Sequence, residues 1–392
     1  MHLTTRWWRL KRMFREGHGL RGLLNVARGA LISVASRVRN YRSPFSGERV
    51  NIELMEAGDV AVALSVAHSY FDEINGIGHP PKDRYIGPLL DELIRVEDSI
   101  DARREERKKQ GRPPDAVIAH NTDELLAAHG EGLLALVHCV EGGYHLGETD
   151  EHVRDAVNTL ADKGVAYITL AHLYWRQVAS GANALPWLTD EQYRQKYEPH
   201  EDRGLCGRAR VAIETMQERK VLVDISHMSK RSIVETFDLL DDDVPVLATH
   251  AGFRFGKQQY MLDEETVREV GRRGGVIGLI FAQHQLYDGF DDAGLLKRWG
   301  IRPRDRQWED SVNLLCAHAK EINRITRSNR NVGIGSDFDG FIKPTLAGLE
   351  NMADMRRLRD ALREKLPDDW EAVCSGNAMR LLTEYWVGGA DE

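Results

Sequence analysis

Short apolar runs alternate with longer amphipathic stretches along this chain, and the alternation limits the fold more than any other feature. Seven runs have this character: Val60–Ala67, Leu133–Val140, Val165–Ala171, Val221–Ser226, Val244–Thr249, Gly275–Phe281 and Asn331–Ser336. The stretches with helical spacing between them are Asp150–Lys163, Gly207–Arg219, Ser229–Leu240 and Asp263–Arg273. Ser229 and Asp263 are typical N-cap residues for their helices. Strands that alternate with helices form parallel sheets. The pattern therefore predicts an α/β fold, a (β/α)8 TIM-like barrel.

Six of the seven runs are followed directly by a residue that can bind a metal or transfer a proton. These residues are His68, Glu141, His172, His227, His250 and Asp337. In a barrel the carboxyl ends of the strands meet at one face, and enzymes with this fold have their active sites there. Histidine and carboxylate are ligands of zinc, and Glu141 is the candidate for a carboxylate that bridges two ions. One such histidine alone is more typical of an ordinary hydrogen-bonded residue. The joint pattern predicts a metal-dependent hydrolase.

Size and charge restrict the domain organisation and the partners. A barrel needs about 250 residues, and no linker rich in Ser, Gly or Pro divides the 392 residues. We therefore expect a basic helical arm at 1–54 and one hydrolase barrel at 55–392. The net charge of -8 argues against nucleic-acid binding by the body of the protein.

The amino-terminal arm has a composition of its own. Residues 1–43 carry ten Lys or Arg residues and one acidic residue, with Trp, Leu and Phe between them. This pattern predicts a helix at 5–40 that packs on the barrel, packs on a partner subunit in a homodimer, or makes a peripheral contact with an anionic membrane. No apolar run approaches the roughly 18 residues of a spanning helix. The four cysteines form no C-x-x-C pair, and isolated thiols are typical of a cytoplasmic protein.

Two long segments interrupt the alternation. Residues 79–120 contain Pro and a run of charged residues, and we interpret them as a polar insertion whose charge run is a solvated helix face. Residues 176–206 follow the third run and are rich in Trp, Tyr and Pro. A loop of this length at the reactive face of a barrel is a candidate lid.

Five motifs occur in an order that is highly specific to one enzyme family. They are Glu141-Gly-Gly, Tyr167-Ile-Thr-Leu-Ala-His172, Leu222-Val-Asp-Ile-Ser-His227, Pro245-Val-Leu-Ala-Thr-His250 and Gly333-Ile-Gly-Ser-Asp337-Phe-Asp-Gly340. From about residue 58 to the carboxyl terminus, the sequence resembles the membrane (renal) dipeptidase family of the amidohydrolase superfamily. The resemblance implies a barrel that holds two zinc ions. Glu141 would bridge the ions, and His227 and His250 would complete the second site.

The resemblance also implies roles on the substrate side of the site. His172 would face the substrate and stabilise the tetrahedral intermediate. Asp337 would hydrogen-bond the bridging hydroxide and carry its proton to the leaving amine. The family holds the substrate carboxylate with an arginine after the fifth-strand histidine, where this chain has the stretch Lys257-Gln-Gln-Tyr-Met-Leu-Asp263. Arg254 lies nearer that histidine and is our candidate for substrate binding.

The first metal site departs from the family pattern. Its strand normally ends in His-x-Asp, and both residues bind the ion, whereas this chain reads His68-Ser69-Tyr70. A neutral phenol, with a pKa near 10, adds no charge to offset a second cation. We therefore expect one tightly held zinc ion and a second that is weak or absent, unless Asp72 or Asp339 replaces the lost carboxylate.

These observations support three interpretations of function. The leading one is a zinc-dependent dipeptidase-like hydrolase that cleaves the amide bond of dipeptides or similar small substrates through a metal-bound hydroxide. The second is a divergent amidohydrolase that acts on another small amide or a lactone, which the altered first strand and the missing arginine favour. The third is a catalytically weakened binding protein. A fold does not by itself choose among them.

Overall fold

The structure is a computed structural model that describes residues 48–68, 73, 86–173, 178–186, 188–197, 203–290, 298, 307–340, 342 and 345–389. The predicted arm helix at 5–40, Tyr70 and Asp72 lie outside these ranges. The boundary predicted between residues 54 and 55 falls inside helix α1, Ile52–Ala57, and the division into arm and barrel stays a prediction. Within the described ranges, no helix combines the length and apolar character that crossing a membrane requires.

Eight parallel strands form one sheet. Their bounds are β1 Val62–Ala67, β2 Ala116–Ala119, β3 Leu134–Glu141, β4 Tyr167–Thr169, β5 Leu222–Asp224, β6 Val246–Ala251, β7 Val276–Leu279 and β8 Val332–Ile334. The hydrogen-bonded order is β1-β3-β4-β5-β6-β7-β8, and β2 pairs with β3. Each of the seven apolar runs overlaps one strand of this path, and β3 and β6 extend one and two residues beyond their runs. The predicted parallel α/β arrangement is therefore confirmed.

The polar insertion predicted at 79–120 needs one correction, because it ends in strand β2. This strand pairs with residues 134–137 of β3, while β4 pairs with residues 140 and 141. Strand β1 pairs with residues 135–140 of β3. A strand has two edges, and β1 occupies one edge of β3. Strands β2 and β4 therefore both pair with the other edge, β2 near the beginning of β3 and β4 at its end. Only four residues, AVIA, form β2, and so short an apolar run carries no clear period.

The path of strands is open between β8 and β1. Across the described parts of the chain, no hydrogen-bonded ladder joins these two end strands. The observed architecture is thus a curled parallel sheet with helices after its strands. The closed ring of a full (β/α)8 barrel stays a prediction.

Helices follow the strands and cover the sheet. Their bounds after α1 are α2 Gly87–Lys109, α3 Thr122–Gly130, α4 Asp150–Asp162, α5 Asp190–Tyr197, α6 Ala209–Glu218, α7 Lys230–Leu239, α8 Glu264–Arg272, α9 Gln283–Leu286, α10 Trp308–Thr326, α11 Met355–Lys365 and α12 Asn377–Tyr385. The Ser229 and Asp263 side chains accept hydrogen bonds from the third residues of α7 and α8, so both predicted caps are confirmed. Helix α2 buries Leu89, Leu93 and Val96 on one face, and the charge run at its end is mostly exposed.

Close backbone contacts hold the carboxyl ends of β6, β7 and β8 together. A Cβ atom at Gly335 would lie 1.9 Å from the Thr249 carbonyl oxygen, and one at Gly278 would lie 2.1 Å from the same atom. Backbone atoms cannot rotate away as side-chain ends do. Glycine at these two positions therefore lets three neighbouring strands converge beside His250.

We expect Gly335→Ala to destabilise the protein by about 1–3 kcal/mol, because the new methyl group forces a backbone shift in a packed core. Gly87→Ala is the matched control, since a Cβ atom there meets nothing within 4 Å. Urea unfolding followed by circular dichroism measures the free energy of unfolding of both variants. Equal unfolding midpoints for the two variants would show that the contact at Thr249 does not constrain the sheet.

Candidate metal centre and active site

Three residues at the carboxyl ends of β3, β5 and β6 bring their ligand atoms together. Glu141 is the last residue of β3, His227 follows β5, and His250 lies in β6. Glu141 Oε1 is 3.4 Å from His227 Nε2 and 3.4 Å from His250 Nε2. The two Nε2 atoms are 2.9 Å apart. All three residues are buried, so a carboxylate and two imidazoles converge in a site of low polarity.

A buried aspartate behind the cluster orients one of these histidines. Asp224, at the end of β5, accepts hydrogen bonds from Thr169 Oγ1 at 2.6 Å, Thr249 Oγ1 at 2.7 Å, the Thr249 amide at 2.9 Å and the Ser226 amide at 3.0 Å. Thr249 Oγ1 also lies 2.7 Å from His250 Nδ1. A hydroxyl has one proton, and Thr249 gives it to Asp224. His250 Nδ1 must therefore carry a proton, which leaves the Nε2 lone pair directed at the cluster.

Two site residues adopt left-handed backbone conformations, which side chains other than glycine rarely occupy. The φ angle is 65° at His227 and 50° at Asp337. Such conformations cost on the order of 1–3 kcal/mol and concentrate at functional sites. The Ala182 amide donates to the His227 carbonyl at 2.6 Å and helps to hold the turn. At Asp337, a Cβ atom on Gly340 would collide with the Asp337 carboxylate, so a side chain at 340 would displace this carboxylate.

The donor set fits a zinc ion. Ligand bonds of about 2.0–2.2 Å in tetrahedral geometry place ligand atoms about 3.3–3.6 Å apart, which matches the distances from Glu141. Burial lowers the pKa of His227 to about 4, so its imidazole is neutral near pH 7. Burial also opposes the charge of Glu141, but His172, His227 and His250 outweigh it and hold its pKa well below 4.5. A carboxylate and neutral imidazoles are the protonation states that metal binding requires.

His172 lies between two carboxylates. Its Nδ1 atom is 2.5 Å from Glu73 Oε2, and its Nε2 atom is 3.7 Å from Glu141 Oε2. Burial disfavours the imidazolium, but the charges of Glu73 and Glu141 prevail and raise the pKa of His172 to about 9. Glu73 is fully buried and is absent from our sequence-based site. Its only sequence signal is an acidic residue five positions after His68.

His68 and Asp337 border the cluster on either side. His68 directly follows β1, and its ring meets the His172 ring edge-on at 5.9 Å between centroids. Asp337 follows β8 and is close enough for the charges of His250, Glu141 and His172 to act on it. Burial raises the pKa of Asp337 to about 6, with Glu141 adding to the effect and His250 opposing it. The structure thus brings all six predicted strand-end residues to one edge of the sheet.

Tyr260 belongs to the site although our sequence analysis gave it no role. Its Oη atom donates to the His250 carbonyl at 3.0 Å, and its ring packs edge-on against His227 at 5.1 Å between centroids. Burial raises its pKa well above 10, so the phenol is neutral. Tyr260 lies in the stretch that replaces the family arginine, and that replacement was the available signal.

The guanidinium of Arg254 already contacts two groups of the chain. Its Nε atom donates to the Met261 carbonyl at 3.0 Å, and Nη2 is 3.3 Å from Asp263 Oδ2. Asp263 also pairs with Lys230 at 2.7 Å, so the two cations share this carboxylate. The predicted contact of Arg254 with a substrate carboxylate stays a prediction.

Comparisons with known proteins identify the family of the chain. The model of the family "Membrane dipeptidase (Peptidase family M19)" matches residues 40–386 of the chain. The chain is 22% identical over 271 residues to dipeptidase tcpJ of Claviceps purpurea, a match that covers 68% of this chain and 55% of that protein. It is 25% identical over 232 residues to an uncharacterized dipeptidase of Schizosaccharomyces pombe, covering 59% of this chain and 47% of that protein. The chain therefore spans about half the length of these curated relatives.

Solved structures share the fold at low sequence identity. A metallopeptidase of family M19, dipeptidase AC, superposes with a TM-score of 0.64 at 17% identity, covering 91% of this chain and 94% of that one. A metallopeptidase of Rhodobacter sphaeroides, bound to a phosphinate mimic of the dipeptide L-Ala-D-Ala, gives a TM-score of 0.63 at 17% identity, covering 93% and 97%. The fold, the order of the motifs and the extent of the family match agree, and the chain belongs to the membrane dipeptidase family, Peptidase family M19.

Proposed function

We propose that this protein is a zinc-dependent hydrolase that cleaves the amide bond of dipeptides or similar small peptide-like substrates. The observation that carries the proposal is the convergence of Glu141, His227 and His250, with the Nε2 lone pair of His250 held toward the other two by Thr249 and Asp224. This arrangement needs a cation to complete it, because it directs a carboxylate and imidazole lone pairs at one point.

The chain supplies the remaining groups that amide hydrolysis needs. Zinc bound by Glu141, His227 and His250 would polarise the substrate carbonyl and acidify water. Asp337, with its pKa near 6, is suited to accept the proton of the attacking water and to pass it to the leaving amine. His172 is charged and would donate a hydrogen bond to the oxyanion as negative charge develops on it.

We further propose that one zinc ion is held tightly. Glu141 Oε1 faces His227 and His250, whereas Glu141 Oε2 faces the His172 imidazolium. A second cation on that side would meet a positive charge, and the sequence offers Tyr70 where the family has an aspartate.

A second candidate function is the hydrolysis of another small amide or a lactone. The contact of Arg254 with Asp263 favours it, because this guanidinium already lies beside a carboxylate of the chain itself. A panel of dipeptides, amino-acid amides and lactones separates the two functions by their kcat/KM values. Turnover of none of them would support the third interpretation, a binding protein.

Asp337→Asn should lower kcat for the best substrate of this panel by about 10²–10⁴-fold, as expected for loss of a general base, while the zinc content stays the same. Asp368→Asn, at an exposed aspartate in the loop after α11, is the matched control and should leave kcat unchanged. For the wild type, kcat/KM should fall as pH drops through about 6 or lower, because Asp337 must be ionised to accept a proton and its pKa is near 6 before zinc adds its charge. A wild-type rate in Asp337→Asn would remove Asp337 from the mechanism.

Thr249→Val should weaken zinc binding by about 10–100-fold, the usual effect of removing a group that orients a metal ligand. Valine keeps the shape but cannot accept the His250 Nδ1 proton. Thr249→Ser retains the hydroxyl and should keep the affinity. Competition with a chromophoric chelator measures both dissociation constants. Equal affinities for the Val and Ser variants would refute this orienting role.

Tyr70→Asp should raise the occupancy of the weak first site, because it restores the carboxylate of the family pattern. Tyr70→Phe removes the hydroxyl without adding charge and should leave occupancy unchanged. Elemental analysis after chelator-limited dialysis gives the zinc count per chain, and the ions lost on adding Glu141→Ala give the count at the proposed catalytic centre. Two tightly bound ions at the proposed catalytic centre of the unmodified chain would contradict the proposal of a single tight ion.

A further inference from the structure

A second group of potential metal ligands lies outside the site described above. It consists of Glu97, His120 and His138, whose ligand atoms all lie within 4.8 Å of one another. Glu97 Oε1 is 3.3 Å from His138 Nε2 and 3.5 Å from His120 Nε2. The two imidazole rings have centroids 6.0 Å apart. One carboxylate oxygen thus faces two imidazole nitrogens.

The group sits on the opposite side of strand β3 from the catalytic cluster. His138 and Glu141 are three positions apart in β3, and side chains alternate between the faces of a strand, so the two residues point to opposite faces. Three residues also span about 10 Å along a strand. Glu97 comes from helix α2, and His120 directly follows β2. The group therefore joins α2, β2 and β3.

The distances are longer than those of ordinary hydrogen bonds. An N–H···O bond is most often about 2.9–3.0 Å long, and both contacts of Glu97 Oε1 exceed this. They match the separation of about 3.3–3.6 Å expected between ligands of a tetrahedral zinc ion. The contacts with His120 and then His138 hold the pKa of Glu97 far below its usual range, so Glu97 is an anion at neutral pH.

A further carboxylate orients His120. Glu124 Oε2 is 3.2 Å from His120 Nδ1 and accepts the His120 amide at 2.8 Å. The contacts with Glu97 and Glu124 raise the pKa of His120. In the neutral imidazole that a metal ion would bind, the contact with Glu124 keeps the proton on Nδ1 and the Nε2 lone pair faces Glu97. A carboxylate behind a metal-binding histidine is a recurring arrangement in zinc sites. The Gly389 amide also donates to the His120 carbonyl at 2.9 Å, which fixes the backbone.

Charge and access both permit an ion here. Glu97 and Glu124 are acidic, and Lys163 is the basic residue whose charge also reaches Glu97. The Glu97 side chain is 25% exposed and the His120 side chain is 37% exposed, whereas the His138 side chain is fully buried. Solvent can therefore deliver an ion and supply a fourth ligand on the open side.

We propose that Glu97, His120 and His138 form a second divalent metal site, of the class that binds Zn²⁺, which clamps helix α2 to strands β2 and β3. Two imidazoles and a carboxylate are a donor set that zinc accepts with water as a fourth ligand. The site is structural, and it does not depend on the proposed catalytic function because it shares no ligand with the catalytic centre.

The test counts zinc in the full-length chain after metal removal, reloading and desalting. His120→Ala should hold one ion fewer than the wild type. His129→Ala is the matched control, because His129 is an exposed histidine in the neighbouring helix α3, and it should hold as many ions as the wild type. In a His227→Ala background, which disables the catalytic centre, the remaining zinc should be lost on adding His120→Ala. Zinc should also raise the melting temperature of wild type and His129→Ala more than that of His120→Ala.

Two further variants keep the proposal testable if His120→Ala does not fold. Glu97→Gln preserves the side-chain shape and should lose the same ion, and Glu124→Gln should weaken the site by about 10–100-fold. Unchanged zinc counts in folded His120→Ala or Glu97→Gln would overturn the proposal. An equal loss in His129→Ala would also overturn it, because it would identify the ion as surface-bound.

Discussion

The organisation of the site depends on the hydrogen bonds that the buried carboxylate of Asp224 accepts. It accepts four hydrogen bonds, from Thr169 in β4, from Ser226 just after β5, and twice from Thr249 in β6. A buried carboxylate without such partners would cost several kcal/mol. Because its partners come from three adjacent strands, the need to satisfy Asp224 aligns the ends of those strands. The same network fixes the tautomer of His250, so a requirement of folding also orients a proposed metal ligand.

Charge balance is the second constraint on the site. Glu73, Glu141 and Asp337 bring three carboxyl groups together in a buried region, with His172 between two of them. Like charges at such distances suppress ionisation unless a cation offsets them. His172 supplies one positive charge, and a zinc ion at Glu141 would supply the rest. Burial, with the charge of Glu141 adding to it, raises the pKa of Asp337 into the range of a general base.

Much of the fold was readable from the sequence because buried parallel strands are almost continuously apolar. The apolar runs at β1 and at β3 to β8 could therefore be identified from the sequence alone. Strand β2 was not, because AVIA is short and its place is determined by pairing with residues 134–137 of β3. Ring closure between β8 and β1 depends on strand tilt and stagger, and no local pattern encodes these.

The sequence by itself determined which strand ends have residues that can bind a metal or transfer a proton, because a polar residue after a buried apolar strand differs from its neighbours. Glu141, His227 and His250 were found in this way. Only the tertiary structure decided which residues contact the histidines at the strand ends: Glu73 contacts His172, and Tyr260 contacts His250. These contacts join residues distant in sequence or in different loops, and they depend on how neighbouring strands and loops align. A single sequence contains the polar residues, but the distances between them exist only once the sheet has curled and brought its carboxyl ends together.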